Sequence, residues 1–294
     1  MQIIKTVKDI HNQSLNLKRE GKKLGFVPTM GALHAGHISL IRESNRENDV
    51  TICSIFVNPT QFNDPKDFEK YPVTLESDMQ MLIDAKCDIL FLPSVAEMYP
   101  TGMKNKEPLD FGFMSGTLEG EFRPGHFDGM AQIVEKLLLA VTPHHLYMGQ
   151  KDYQQAMICT ELIKKKKLKI KLVVCPIKRE KDGLAMSSRN VRLDAHSRKM
   201  AVEISKTLKW IKGQVARDEG RGTIAAIEQK AFERLAAYPE FKVEYVAIRN
   251  AKTLKPIKWL VRTPTTGKTS ASTEAVALIA AQIGGVRLID NMLL

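Results

Sequence analysis

From about residue 23 to residue 177 the chain repeatedly sets a short apolar run before an amphipathic stretch, and this alternation restricts the fold more than any other feature. Residues 23–27, 50–57, 88–92, 145–148 and 170–175 read as strands; residues 37–47, 75–86, 127–141 and 153–165 read as helices between them. A strand that is followed by a helix and then by another strand returns in the same direction, so the strands pair in parallel with helices on both faces. The expected fold class is α/β, a Rossmann-like doubly wound parallel sheet. Ligands of such sheets bind at the carboxyl ends of the strands.

Past residue 180 the texture changes. Residues 194–217 and 223–238 read as helices, followed by strand-like runs at 243–248, 275–281 and 286–289, which is the pattern of a smaller α+β C-terminal domain. A length of 294 residues suits two domains, expected at 1–177 and 178–294. The Thr-, Ser- and Lys-rich stretch 262–273 reads as a loop between strands.

Hydrophobic residues at 44% and charged residues at 26% exclude a disordered or collagen-like chain. Cys53, Cys87, Cys159 and Cys175 form no CxxC pair and have mostly apolar neighbours, so they read as reduced core thiols. Residues 1–5 lead into mixed polar sequence without the apolar region of a signal peptide. The longest weakly polar stretch, 275–286, is too short to span a bilayer. The expected setting is therefore cytoplasmic, with no membrane partner. A net charge of +11 asks for an anionic partner without choosing between nucleic acid and nucleotide.

Five segments carry candidate chemistry. The first, Pro28-Thr-Met30-Gly31-Ala-Leu-His34-Ala-Gly36-His37, follows the first of these strands and opens a helix. A helix N-terminus presents free N–H groups and the positive end of the macrodipole to a phosphate, and two imidazoles three residues apart add hydrogen-bond donors for a charged phosphorus centre. The second, Asn58-Pro-Thr-Gln61-Phe-Asn63, follows the next strand; Asn58 and Gln61 suit a ligand bearing hydroxyl and carboxylate groups. In the third, Glu121-Phe-Arg123-Pro-Gly125-His126, Arg123 is a candidate anion contact. In the fourth, Gly149-Gln150-Lys151-Asp152-Tyr-Gln154-Gln155, Lys151 would bring a compact positive charge to a phosphate, and Asp152 could bind a ribose hydroxyl or cap the helix. The fifth, from Lys178 through Met186-Ser187-Ser188-Arg189, could close over a triphosphate.

The first segment resembles the HxGH signature of the nucleotidyltransferase superfamily, and the fifth is similar to its mobile KMSKS-type loop, with Arg189 in place of the second lysine. Together with Lys70-Tyr71-Pro72-Val-Thr74 and Arg287-Leu-Ile-Asp-Asn291, the five segments resemble the pantothenate synthetase (pantoate and β-alanine ligase) family in order and spacing over nearly the whole chain. Gln150 stands where that family usually has Glu, and Met130-Ala131 replaces a Val-rich helix start.

The resemblance implies an ATP-dependent, AMP-forming ligase of two steps, in which pantoate is adenylated with release of pyrophosphate and the adenylate is then captured by β-alanine. By the same resemblance His34, His37, Lys151 and Arg189 are the catalytic residues. Met30, Gly31, His34, Gly36, His37, Gly149, Lys151, Asp152, Lys178, Met186, Ser187, Ser188 and Arg189 bind ATP. Asn58, Gln61, Tyr71, Arg123 and Gln155 bind the acid substrate, and Asp78 meets Mg2+ through phosphates or water. It further implies a homodimer and a C-terminal domain acting as a lid. Two other readings remain: a different HxGH adenylyltransferase, or a basic nucleic-acid-binding protein. Against the second, the lysine-rich segments lack interleaved aromatics. The string Gly267-Lys268-Thr269 is not a P-loop, since Arg262 stands where the motif needs glycine.

Overall fold

The structure, a computed structural model, describes residues 1–62, 68–69, 71–103, 109–217, 223–257 and 274–294. Asn63, Lys70, the 262–273 stretch and the Gly267-Lys268-Thr269 string lie outside the described residues. The chain divides into two compact units, Met1–Lys178 and Arg179–Leu294.

In the first unit β1 (Gln2–Ile4), β2 (Leu24–Thr29), β3 (Val50–Ile55), β4 (Ile89–Phe91), β5 (His145–Gly149) and β6 (Lys171–Cys175) form one sheet in the order β1-β4-β3-β2-β5-β6. All its pairings are parallel. The principal helices are α1 (Val7–Arg19), α2 (Ala35–Glu47), α3 (Leu75–Asp84), α4 (His126–Val141) and α5 (Tyr153–Lys165). Successive residues of each central strand enter opposite cores. Phe26, Ile52, Phe91 and Leu146 pack in one apolar cluster with Ile10 of α1, Leu137 of α4 and Leu162 of α5. Val27, Cys53, Leu90 and Tyr147 pack in another with Ile41 of α2 and Leu82 of α3. Burial on both faces is why these strands read as continuous apolar runs, and each such side chain contributes about 2 kcal/mol.

Chain order places the ligand crevice. From β2 the connections run outward to β3 and β4 on one side, while β5 and β6 lie on the other, so β2 and β5 flank the switch point of the sheet. β2 pairs with β3 along its whole length but with β5 only at Gly25 and Phe26. That pairing stops short of Pro28, which has no N–H to offer a ladder, and the carboxyl ends of the two strands part there.

β1 and α1 are not predicted from the sequence. β1 has three residues and pairs only with β4. Thr6 caps α1 through its hydroxyl, which accepts from the Asp9 N–H, but the buried stripe of the helix includes Ser14, which interrupts its apolar period.

In the second unit β7 (Lys242–Asn250), β8 (Ala275–Ile283) and β9 (Val286–Leu293) form an antiparallel sheet with α6 (Ala195–Met200), α7 (Val202–Arg217) and α8 (Ile224–Ala236). Gly284 and Gly285, both at positive φ (54° and 72°), make the two-residue hairpin between β8 and β9. The single helix expected over 194–217 is interrupted at Ala201, where the Ile204 N–H reaches back only three residues to the Ala201 carbonyl. Among the described residues no helix is long and apolar enough to cross a membrane.

Candidate active site

The turn after β2 is built around a left-handed pair. Gly31 has φ 80° and Ala32 φ 48°; a Cβ on Gly31 would stand 3.1 Å from Asp78 Oδ2 and 3.2 Å from Ile55 Cγ2, so glycine is required there. The Thr29 hydroxyl donates to the Ser54 carbonyl (2.8 Å) and accepts from the Gly31 N–H (3.2 Å), tying the turn to β3. The chain then enters α2 with His34 as the N-cap residue, in extended conformation.

His34 and His37 cap the helix reciprocally. His34 Nδ1 accepts from the Gly36 N–H at 3.1 Å, and His37 Nδ1 accepts from the His34 N–H at 3.3 Å. The three-residue spacing of the motif is therefore the spacing of a capping box, with imidazoles in place of the usual hydroxyl and carboxamide. The rings stand 4.1 Å apart, centroid to centroid. Burial, then the Lys151 ammonium, lowers His34 to about 4. Burial, then His34 and Lys151, lowers His37 to about 3. Both are thus neutral at pH 7, and with each Nδ1 accepting, each proton sits on Nε2. They offer a phosphate two N–H donors and no positive charge.

The cation comes from the end of β5. Lys151 lies in the single 3-10 turn Gln150–Asp152 between β5 and α5, and its ammonium is 3.7 Å from Asp152 Oδ1. Asp152 precedes α5 but makes no side-chain cap, so of the two roles open to it the capping one is not adopted. Gly149 closes β5 opposite Cys175. Gln154, on the first turn of α5, is buried; its amide donates to the Met114 and Thr117 carbonyls at 2.7 and 2.8 Å and accepts from the Glu119 N–H at 3.1 Å. Gln155, half-buried, is the next residue on the turn that Gln154 anchors.

Gln61 ends the 3-10 turn Pro59–Gln61 after β3, and its Nε2 lies 3.3 Å from Met30 Sδ, which joins the second motif to the first. Asn58 does not face a ligand as expected. It is 1% exposed; Nδ2 donates to Gln61 Oε1 and to the Gly129 carbonyl, both at 3.1 Å, while Oδ1 accepts from the Tyr99 hydroxyl at 2.7 Å and the Thr60 hydroxyl at 3.2 Å. Its polar atoms hold Gln61 in place. Arg123 is part-exposed beside the same turn. Its guanidinium donates to the Gln61 carbonyl and to His126 Nε2, each at 3.3 Å, and His126 Nδ1 then donates to the same carbonyl at 2.9 Å. Burial, then Arg123, lowers His126 to about 4, consistent with this neutral tautomer. Tyr99 and His126 are supports that sequence reasoning missed; their only sequence signal is proximity to Gly- and Pro-rich motifs. Tyr71 is buried edge-on to Phe62, ring centroids 5.7 Å apart.

Lys178 is exposed at the end of the first unit. In the second unit Ser187 caps the short 3-10 helix Ser188–Arg192, its hydroxyl accepting from the Arg189 N–H at 3.2 Å. Arg179, which forms an isolated bridge with Ala185, pairs with the buried Asp290 of β9 at 2.6 and 3.0 Å and donates to the Gly183 and Asn291 carbonyls, so the turn leading to Met186 is tied to the sheet.

The residues present do not build a protein-held magnesium site. Asp78, the expected ligand, is 2% exposed, with Oδ2 accepting from the Ala32 N–H (2.9 Å) and Oδ1 from the Leu33 N–H (2.8 Å) and the Thr74 hydroxyl (3.1 Å). Among the described residues no group of three His, Cys, Asp or Glu side chains could hold a metal ion.

The Pantoate-beta-alanine ligase family profile matches residues 2–293. The pantothenate synthetase of Cytophaga hutchinsonii is 45% identical over 94% of this chain and 93% of the relative, and that of Bacteroides fragilis 44% identical over 99% and 98%. The crystal structure of the Thermus thermophilus enzyme superposes with a TM-score of 0.88 at 37% identity, covering 99% of both chains. That of the Francisella tularensis ligase, complexed with beta-gamma ATP and beta-alanine, gives 0.76 at 37% identity, covering 100% of this chain and 97% of the other. A parallel six-stranded sheet with a three-stranded antiparallel companion, a doubly capped histidine pair at the switch point and full-length similarity thus converge: the chain belongs to the pantoate-beta-alanine ligase family, enzymes that join pantoate to β-alanine at the expense of ATP.

Proposed function

We propose that the carboxyl ends of β2 and β5 hold the triphosphate of ATP while pantoate lies toward Gln61 and Gln155. The observation that carries this reading is the reciprocal histidine cap, which leaves two Nε2–H donors at a helix N-terminus beside Lys151. A pantoate carboxylate oxygen attacks the α-phosphorus, the bond from that phosphorus to the bridging oxygen breaks, and pyrophosphate leaves with its electron pair. His34, His37 and Lys151 stabilise the oxygens on which negative charge accumulates. The amine of β-alanine then attacks the acyl carbon of pantoyl adenylate, loses a proton, and expels AMP. Adenylation has by then supplied the good leaving group, so the second step needs chiefly alignment.

Gln61, held by Asn58, Arg123 and His126, is assigned to pantoate and to the border of the β-alanine site; Gln155 and Tyr71 are assigned to pantoate. Gly149 and Asp152, with Met30, Gly31 and Gly36, are assigned to ATP. The ATP roles of Lys178, Met186, Ser187, Ser188 and Arg189, the lid role of the second unit, the homodimer and the cytoplasmic setting rest on the family resemblance. Magnesium enters as MgATP, carried by the phosphates.

The test is AMP formation with ATP, magnesium, pantoate and β-alanine, each omitted in turn. Turnover is expected only with the full mixture. Turnover with another carboxylate and none with pantoate would transfer the site to a different adenylating enzyme.

A further inference from the structure

We propose that Asp78 is a positioning residue for the His34–His37 turn and not a ligand of magnesium. Its two oxygens grip two successive backbone N–H groups, those of Ala32 and Leu33, at 2.9 and 2.8 Å. These N–H groups belong to the second residue of the left-handed pair Gly31–Ala32 and to the residue after it, and Ala32 carries a Cβ in a conformation that L side chains avoid. The carboxylate is thus the counterpart that holds the turn in an otherwise unfavourable shape, one residue before His34 begins its cap. Thr74 fixes the carboxylate in turn, its hydroxyl donating to Oδ1 at 3.1 Å and its carbonyl accepting from the Asp78 N–H at 2.9 Å. The chain of contacts runs α3, Asp78, turn, His34, helix.

A hydrated cation has no matching surroundings. The cavity of about 280 Å³ behind the turn is lined by Met30, Ile55, Val57, Pro72 and Leu92, and the polar groups on its wall are few: Thr74, Asp78 and Ser94. Magnesium requires near-octahedral oxygen coordination and keeps several waters, whereas three hydrogen bonds already occupy this carboxylate.

Asp78→Asn keeps the shape but replaces one acceptor by an NH2 facing a backbone N–H. The expected result is a fall in kcat of about 10- to 100-fold for pantoate-dependent pyrophosphate release. The KM for β-alanine and the magnesium concentration for half-maximal rate should stay unchanged. Imidazole 15N spectra should report His34 and His37 leaving the pure Nε2–H tautomer. Thr74→Val, a milder change for the case in which the asparagine variant does not fold, should lower kcat about threefold, again with unaltered magnesium dependence. A tenfold or greater rise in the magnesium requirement of either variant, with activity restored by excess Mg2+ or Mn2+, would overturn the proposal, as would an unchanged kcat and unchanged imidazole spectra in folded Asp78→Asn. The proposal rests on reading the two histidines as phosphate contacts, and the two failures are distinguishable: near-normal pyrophosphate release by His37→Ala removes that reading, whereas impaired His37→Ala beside an unperturbed Asp78→Asn removes only the brace.

Discussion

His34 uses its two nitrogens for different purposes: Nδ1 closes the start of α2, and the proton on Nε2 is left for a ligand. Asparagine is a strong N-cap but cannot reproduce that second donor. His34→Asn is therefore expected to keep stability within about 0.5 kcal/mol, while His34→Ala loses about 1 kcal/mol in a urea melt, and both lose pyrophosphate release. With His37 and Lys151 as the proposed phosphate contacts, His37→Ala and Lys151→Ala are expected to slow the first step by at least about 100-fold in single-turnover assays, the effect of losing a contact to developing charge. Asn58→Ala should act through Gln61, raising the KM for pantoate while destabilising the fold by about 2 to 3 kcal/mol, because Tyr99, Thr60 and Gly129 lose their partner together. At this scale the histidine pair, Gln61 and Lys151 stand out in the sequence as candidates because their residue types advertise chemistry, and the fold brings the histidine pair and Gln61 to adjoining turns through Met30. Asn58, expected at a ligand, instead spends its polar atoms on Gln61, Gly129, Tyr99 and Thr60. An amide or guanidinium suits a backbone carbonyl as well as a substrate, and only the fold decides which it meets.

Elements carry the next set of consequences. The helix α4 lies against the Pro59–Gln61 turn so closely that a Cβ on Gly129 would stand 2.1 Å from the Thr60 carbonyl oxygen. Gly129→Ala should accordingly displace the turn that bears Gln61, visible as weakened pantoate binding. The Arg179–Asp290 pair plays a similar part for the turn leading to Met186, with side chains 22% and 3% exposed. Asp290→Ala strands a largely buried guanidinium, and a loss of about 2 to 4 kcal/mol in a denaturant melt is expected. Most strands and long helices were readable from period and length, α5 to the residue. The short or polar ones were not: β1 is too brief for alternation to register, and Ser14 breaks the stripe of α1. The interruption at Ala201 has no sequence marker, since neither Gly nor Pro stands there.

For the molecule as a whole, three histidines held neutral by desolvation contribute most visibly to the response to acid. His34, His37 and His126 lie at about 4, 3 and 4, against about 6.5 for an exposed histidine. Between those values the unfolded chain binds protons that the folded chain refuses, so stability rises with pH across the window and is lost on acidification. The slope reaches at most about 1.4 kcal/mol per pH unit for each histidine, and it vanishes above pH 7. Urea melts at pH 7, 6 and 5 should show the decline, with a shallower one in His37→Gln; a midpoint that stays constant over that range would contradict it. The net charge of +11 also resolves at this scale. Lysines 164–171 include six cations and no acid, yet Lys166 meets Glu135 at 2.7 Å and Lys164 meets Glu161 at 3.9 Å, so the run straddles the C-terminus of α5 with counter-charges at hand. The order of the strands has a consequence during synthesis. β6 ends at Cys175 and the first strand of the antiparallel sheet, β7, begins only at Lys242, so all six strands of the parallel sheet, the two edges included, leave the ribosome before that sheet is made. The nascent chain can thus close its larger core without waiting for downstream partners, and errors of pairing between the two sheets have little time in which to arise.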